Sequence, residues 1–367
     1  MTCAIALGLG LGLALSACGG GGSSGSGDGG RFSTLLAAVP DSATARGEVI
    51  VTDWAAAREA AGVSTPSLDD EDALGTYLRA LSGLDSPVSI FSEFIRNPQF
   101  EDFQTEMGFS ILDLDAELTA GSAPETFQLL EGDLDFGRLE SAAQDDEIWS
   151  SQLTVPEYAG VDYLAWGEDF EVDLANRSAA RQLGESLRIG LVDDRLVWVK
   201  STGLMESAID VAAGEASSLA DVDVLAGLAG VLDDAGAYTG FLSADSALFA
   251  LPAPDIAESL DPSVLELSGL GAAYVGLATG ATVVDGAPGL ILAIAHADST
   301  TATANASRLE TTLREGRSAE TGQPWSDLIQ IEEILVEETL VIARLLSDSS
   351  SLWIDLPFRR SSLFWVQ

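Results

Sequence analysis

Residues equipped for covalent or acid–base chemistry are scarce in this chain: one histidine, one lysine and two cysteines stand against 58 Asp and Glu. His296 lies in the apolar stretch LILAIAHAD, and Lys200 ends the segment LVDDRLVWVK. A Ser-His-Asp triad would have to recruit His296, and no G-x-S-x-G motif accompanies it. Transition-metal sites usually take several imidazoles, so no metal is expected, and His296 reads as a structural residue at a strand end. Lys200 is the one amine open to Schiff-base chemistry. Its counterpart in the similar segment LVEETLVIAR is Arg344, which cannot form a Schiff base, so the shared property is positive charge and both are expected in ion pairs. No Walker sequence or Gly-rich strand-to-helix turn of the dinucleotide type occurs in the body, and no cofactor is expected.

What remains is carboxylate chemistry. Asp113, Asp115 and Glu117 lie close in sequence, and glycoside hydrolysis needs two carboxylates on either side of a sugar bond. The competing expectation is that Asp113 caps a helix whose dipole the other two complement, and the same holds for Asp69 to Asp72. Neither cluster has the D-x-[DN]-x-[DN]-G spacing of a calcium loop. No catalytic residue is assigned. Tyr158, Tyr163 and Trp166 fall on a candidate hairpin and could stack on sugar rings or an apolar ligand, although such rings more often serve as strand core.

The formal net charge is −41, with 17 Lys and Arg in total. Nucleic acid is therefore excluded as a partner, because phosphate contacts need clustered basic residues and the longest basic run is Arg359-Arg360. The same charge disfavours adhesion of the body to anionic lipid. Two readings of this acidity compete: adaptation to salty surroundings, and the compositional bias of a GC-rich genome.

Residues Ala4 to Ala17 form an unbroken run of Ala, Ile, Leu, Gly and Ser that is too short to span a bilayer but long enough for a signal-peptide core. It ends Leu15-Ser16-Ala17-Cys18, which resembles the bacterial lipobox. The resemblance implies cleavage before Cys18 and acylation of its thiol, giving a protein anchored to a bacterial membrane and facing outside the cytoplasm. It also removes Cys18 from disulfide, thiol or metal chemistry. No Lys or Arg precedes Arg31, a departure from the usual basic start of such leaders that leaves room for a start upstream. Gly19 to Gly30 comprises eight Gly, three Ser and Asp28, a flexible tether spanning on the order of 20 Å.

The elements that follow alternate between helix and strand signals. Val49 to Val51 reads as a strand, and Asp53 caps a helix from Trp54 to Ala61 that Gly62 closes. A second helix follows Ser67 and the acids to Asp72. Asp113 to Ala120 reads as a third helix, Phe127 to Leu130 as a strand, and Asp135 as the cap of a helix through Ala143. Hairpins are expected around Ala159 to Asp162 and around Asp193 to Arg195, with a helix from Met205 that ends before Gly214. Leu36 to Ala55 aligns without gaps with Leu228 to Ala247 at an offset of 192, eight of twenty positions matching, among them Asp41 with Asp233 and Asp53 with Asp245. Leu191 to Lys200 resembles Leu335 to Arg344. Phe127 to Ala143 has a counterpart in Leu290 to Arg314, where Asp298 or Ser299 caps a helix stopped by Gly316.

The expected fold is therefore α+β, built as two similar halves from an internal duplication, residues 31–216 and 217–367, behind a leader at 1–17 and a lipidated tether at 18–30. The segments Leu35 to Asp41 and Val49 to Arg58 are similar to those of exported lipoproteins of GC-rich bacteria, a resemblance that brings no activity or catalytic residues. The expected function is a lipid-anchored binding or structural protein of the cell envelope, whose partners are the membrane, through the anchor, and an unspecified envelope ligand. The alternatives are a carboxylate-dependent glycan hydrolase and a carrier of an apolar ligand.

Overall fold

The computed structural model describes residues 29–82, 99–249, 269–284 and 286–366. Cys18 and most of the tether lie outside the described residues. In chain order the described elements are α1 (Arg31–Leu36), α2 (Ala43–Gly47), β1 (Val49–Asp53), α3 (Trp54–Ala61), α4 (Glu71–Leu81), α5 (Phe100–Met107), β2 (Leu114–Ala120), β3 (Phe127–Gly132) and α6 (Phe136–Asp145). Then come β4 (Glu157–Tyr158), β5 (Val161–Trp166), β6 (Leu187–Val192), β7 (Arg195–Val199), α7 (Thr202–Ala212) and α8 (Asp223–Asp234). The last stretch holds β8 (Thr239–Ser243), β9 (Gly276–Val284), β10 (Ala287–Ala295), α9 (Ser299–Glu315), α10 (Trp325–Leu328), β11 (Gln330–Glu337), β12 (Leu340–Leu346) and α11 (Leu352–Phe358).

Local chemistry explains most of these boundaries. Asp53, Asp135 and Asp298 each accept a hydrogen bond from the backbone N–H three residues on, which opens α3, α6 and α9. Gly62 closes α3 in the left-handed conformation. Asp193 and Asp194 both take positive φ, the requirement of a two-residue hairpin turn whose twist matches its strands. The expected helix over Asp113–Ala120 is corrected: a single 3-10 turn, Ile111–Asp113, leads into strand β2. Ala116, Leu118 and Ala120 alternate into the core on one sheet face, while Leu112 and Leu114, before the bulge at Asp115, enter the core on the other, and burying both sets outweighs the helix preference of the local Ala, Leu and Glu.

The twelve strands among the described residues join one antiparallel sheet in the order β11-β12-β10-β9-β8-β1-β2-β3-β7-β6-β5-β4. At its middle β1 pairs with β8, Ile50 opposite Phe241. Outward from this pair the order is β1-β2-β3-β7-β6 on one side and β8-β9-β10-β12-β11 on the other, so that in both the last two strands are placed in reverse of their chain order. The first half adds β5 and β4 beyond β6.

One sheet face carries a single core that crosses the middle, from Val49 and Leu118 to Ala278 and Ile342, covered by α1, α7 and α8. The opposite face carries two cores. Trp54, Trp149 and Trp166 belong to that of the first half, and Trp325, Trp353 and Leu309 to that of the second. Between them runs a buried polar strip that includes Thr52, Glu117 and Thr239, with the two threonine hydroxyls 2.8 Å apart. Helix α1 links the halves on the continuous face. Its Phe32, Leu35 and Leu36 are fully buried, and the Asp233 carboxylate at the end of α8 accepts from the N–H groups of Phe32 and Ser33 at 2.8 and 3.0 Å. Arg31 turns the other way and pairs with Asp53 and Glu131, and Glu131 also binds Arg195.

Candidate functional site

The residues singled out in the sequence do not converge. Tyr163 and Trp166 are three apart on β5, so the two-residue period of a strand sends them to opposite faces, where each is buried. Tyr163 joins the continuous core. Trp166 packs edge-on against Trp149 at 4.1 Å and donates its Nε1–H to the Trp149 carbonyl. Tyr158 is half-buried and donates its hydroxyl to Asp210 of α7. The three rings therefore share no stacking surface. Among the carboxylates, Asp115 is exposed and pairs with Arg58, Glu117 is buried in the polar strip, and Asp113 borders an open groove beside Asp69 and Glu101.

His296 is buried between β10 and α9. Its Nδ1 faces the Thr339 carbonyl at 3.3 Å, and its Nε2 accepts from Asn305 Nδ2 at 2.9 Å. Asn305 is itself fully buried and holds the Ala272 carbonyl and N–H. Burial pushes the imidazole below its ordinary pKa, so the ring is a neutral structural linchpin. Lys200 and Arg344 each pair with a glutamate of the adjoining chain segment, Glu185 and Glu333, as ion-pairing residues should.

The two halves differ most at their outer ends. In the first half, α7 lies on the continuous face of β6 and β7 with Met205 and Ile209 in the core, and β5 pairs along the outer edge of β6. In the second half the helix that follows the matching hairpin, α11, crosses to the opposite face and buries Trp353 and Leu356 there. Among the described residues the outer part of the continuous face of β12 and β11, beyond Ile342 and the contact of Leu340 with α8, carries no helix of its own. It forms an open groove of about 510 Å³ lined by Asp234, Thr282, Ile291, Glu332, Glu333 and Arg344. The outer edge of β11 has no partner strand among the described residues.

Comparison with known proteins assigns no family. No family model matches the chain, and no curated protein matches it. Two solved structures, crystal forms I and III of TP0453, are similar at 8% and 9% identity with TM-scores of 0.37 and 0.39. Each alignment covers 86% of this chain, and 92% and 94% of the other. At that level the likeness carries no argument about fold or function.

The groove and edge were not singled out from sequence. The available signal was the contrast after the two similar hairpins. Ser201 follows Lys200 and caps an amphipathic helix, whereas Leu345, Leu346 and a Ser/Asp stretch follow Arg344 and carry the chain around the sheet. No helix among the described residues is long and apolar enough to cross a membrane.

Proposed function

We propose that this chain is a lipid-anchored binding protein of the cell envelope, held through acylated Cys18 and a Gly/Ser leash, and that its body arose by internal duplication. The observation that carries the binding reading is the asymmetry between its ends: a helix and a strand close the first half, whereas among the described residues the outer part of the matching face and the matching edge of the second half are uncovered. The repeated strand order around the β1–β8 pair supports the duplication, as does the reuse of aligned Asp53 and Asp245 as caps after β1 and β8. Such an end suits recognition, since binding surfaces are often left on the parts of a scaffold that its own chain does not cover.

Intact-mass measurement on protein extracted from membranes tests the anchor. The expected species lacks residues 1–17 and carries acyl chains on Cys18, and Cys18→Ala releases the protein from the membrane fraction. A leader still attached to an unmodified sulfur overturns that part. Turnover of envelope glycans that disappears in Asp113→Asn or Asp115→Asn would replace the binding reading with a hydrolase.

A further inference from the structure

We infer that the outer edge of β11 is a strand-accepting site for an extended, basic segment of a partner protein, one that alternates Lys or Arg with aliphatic residues. The inference rests on the binding reading above and names the partner chemistry of that same open end. Its first support is positional. β6 and β11 occupy matching places in the strand order, and β6 is covered along its outer edge by the antiparallel strand β5, Tyr163 opposite Gly190 and Trp166 opposite Leu187. The corresponding edge of β11 is bare among the described residues over eight residues, long enough to template another strand.

The second support is hydrogen-bond geometry. A two-residue turn, Glu338 and Thr339, joins β11 to β12 and makes Glu337 and Leu340 the closing pair. In such a hairpin the closing residues bond to each other, so Val336 and Ile334 point their N–H and C=O groups away from β12. These are the groups an added strand would bind.

The third support selects the occupant. Alternation gives β11 two rows. Ile334 and exposed Val336 lie on the side of the second-half core, and Glu333 and Glu337 flank Leu335 on the other side, with Glu332 in the bulge that precedes them. A complementary strand sets aliphatic side chains beside the first row and cations beside the second. A second copy of this chain is disfavoured, because it would bring the same glutamates and a net charge of −41 to the joint. The acids that block self-pairing thus select a basic partner.

The test uses the full chain and a synthetic peptide of about ten residues alternating Lys and Val, with a Glu/Val peptide as comparison. The readout is residue-resolved amide hydrogen exchange. The Lys/Val peptide is expected to slow exchange at Ile334 and Val336 about tenfold or more, and the Glu/Val peptide to leave both unchanged. Glu333→Lys with Glu337→Lys should reverse that preference. Val336→Pro removes an outward donor at an edge position that tolerates proline, so it should keep the melting temperature and lose protection at Ile334. Protection confined to sites away from β11, or Ile334 protection equal in the parent and in Val336→Pro, overturns the inference. If Cys18 proves acylated in the same preparation while the edge stays unprotected, the edge proposal fails alone and the envelope-anchored reading stands.

Discussion

Replacing Asp233 with Ala attacks the joint between the two ends of the sheet. The carboxylate accepts three hydrogen bonds at the start of α1, from Phe32 N–H at 2.8 Å, Ser33 N–H at 3.0 Å and the Ser33 hydroxyl at 2.6 Å. It serves as a cap supplied from about 200 residues away in sequence. Removing an ordinary cap costs about 0.5–2 kcal/mol, and a hydrogen bond to a charged group contributes about 1.5–3 kcal/mol. These contributions overlap, so about 2–3 kcal/mol is expected in total. At about 2–4 °C per kcal/mol for chains somewhat shorter than this one, the melting temperature should fall by roughly 4–12 °C in a calorimetric scan. The aligned residue Asp41 supplies the contrast. Its carboxylate pairs with an exposed Arg46, and surface pairs of that kind contribute little, so Asp41→Ala should leave the scan nearly unchanged. Equal shifts for the two variants, or no shift for Asp233→Ala, would refute the assignment of Asp233 as a structural clasp.

Other perturbations follow from the same contacts. Gly30→Ala places a Cβ against the Asp233 carboxyl carbon, so it should weaken α1 docking, seen as faster proteolysis near residue 31; unchanged cleavage would count against the clasp. Trp166→Ala removes a fully buried ring and should cost about 3–5 kcal/mol in denaturant unfolding, whereas a small loss would place the ring outside the core. His296 titrates below its ordinary value in the fold, so well above pH of about 6.5 both folded and unfolded forms are neutral and its titration adds no pH dependence to stability. As pH falls below that value the unfolded chain binds the proton first and stability drops, so the difference between the parent and His296→Gln should change with pH only in this acidic window. Screening the net charge of −41 with added salt should raise the melting temperature, and a flat or falling dependence would argue against self-repulsion as a destabilising factor.

Sequence signals that act within a few residues were legible. Asp53, Asp135 and Asp298 cap the helices their positions announced, and the Asp193-Asp194 turn forms where two residues of positive φ were needed. β2 was misread because Ala, Leu and Glu favour helix locally, and only the neighbouring strands β1 and β3 make its alternating row worth burying. Tyr163 and Trp166 were grouped by proximity in sequence, which in a strand places residues three apart back to back. The pairing of β1 with β8 joins residues about 190 apart and leaves no trace in local periodicity, although the aligned segments around Asp53 and Asp245 hinted at equivalent places. The open end of the second half was hidden for a related reason. Whether a helix lies over a hairpin or swings behind it depends on which core takes Trp353, and that is decided by packing far from the hairpin itself.

The β1–β8 pair also sets a timetable. A chain emerging from its N-terminus can assemble β1, β2 and β3 early, yet β1 has one flank bare until Ser243 has been made, and α1 waits for its clasp until Asp233 arrives. Completion of the first half is therefore deferred until the first helix and strand of the second exist, and long-range closures of this kind are slow. For that interval the nascent molecule presents an apolar ribbon, Val49 to Val51, to whatever holds unfolded chains.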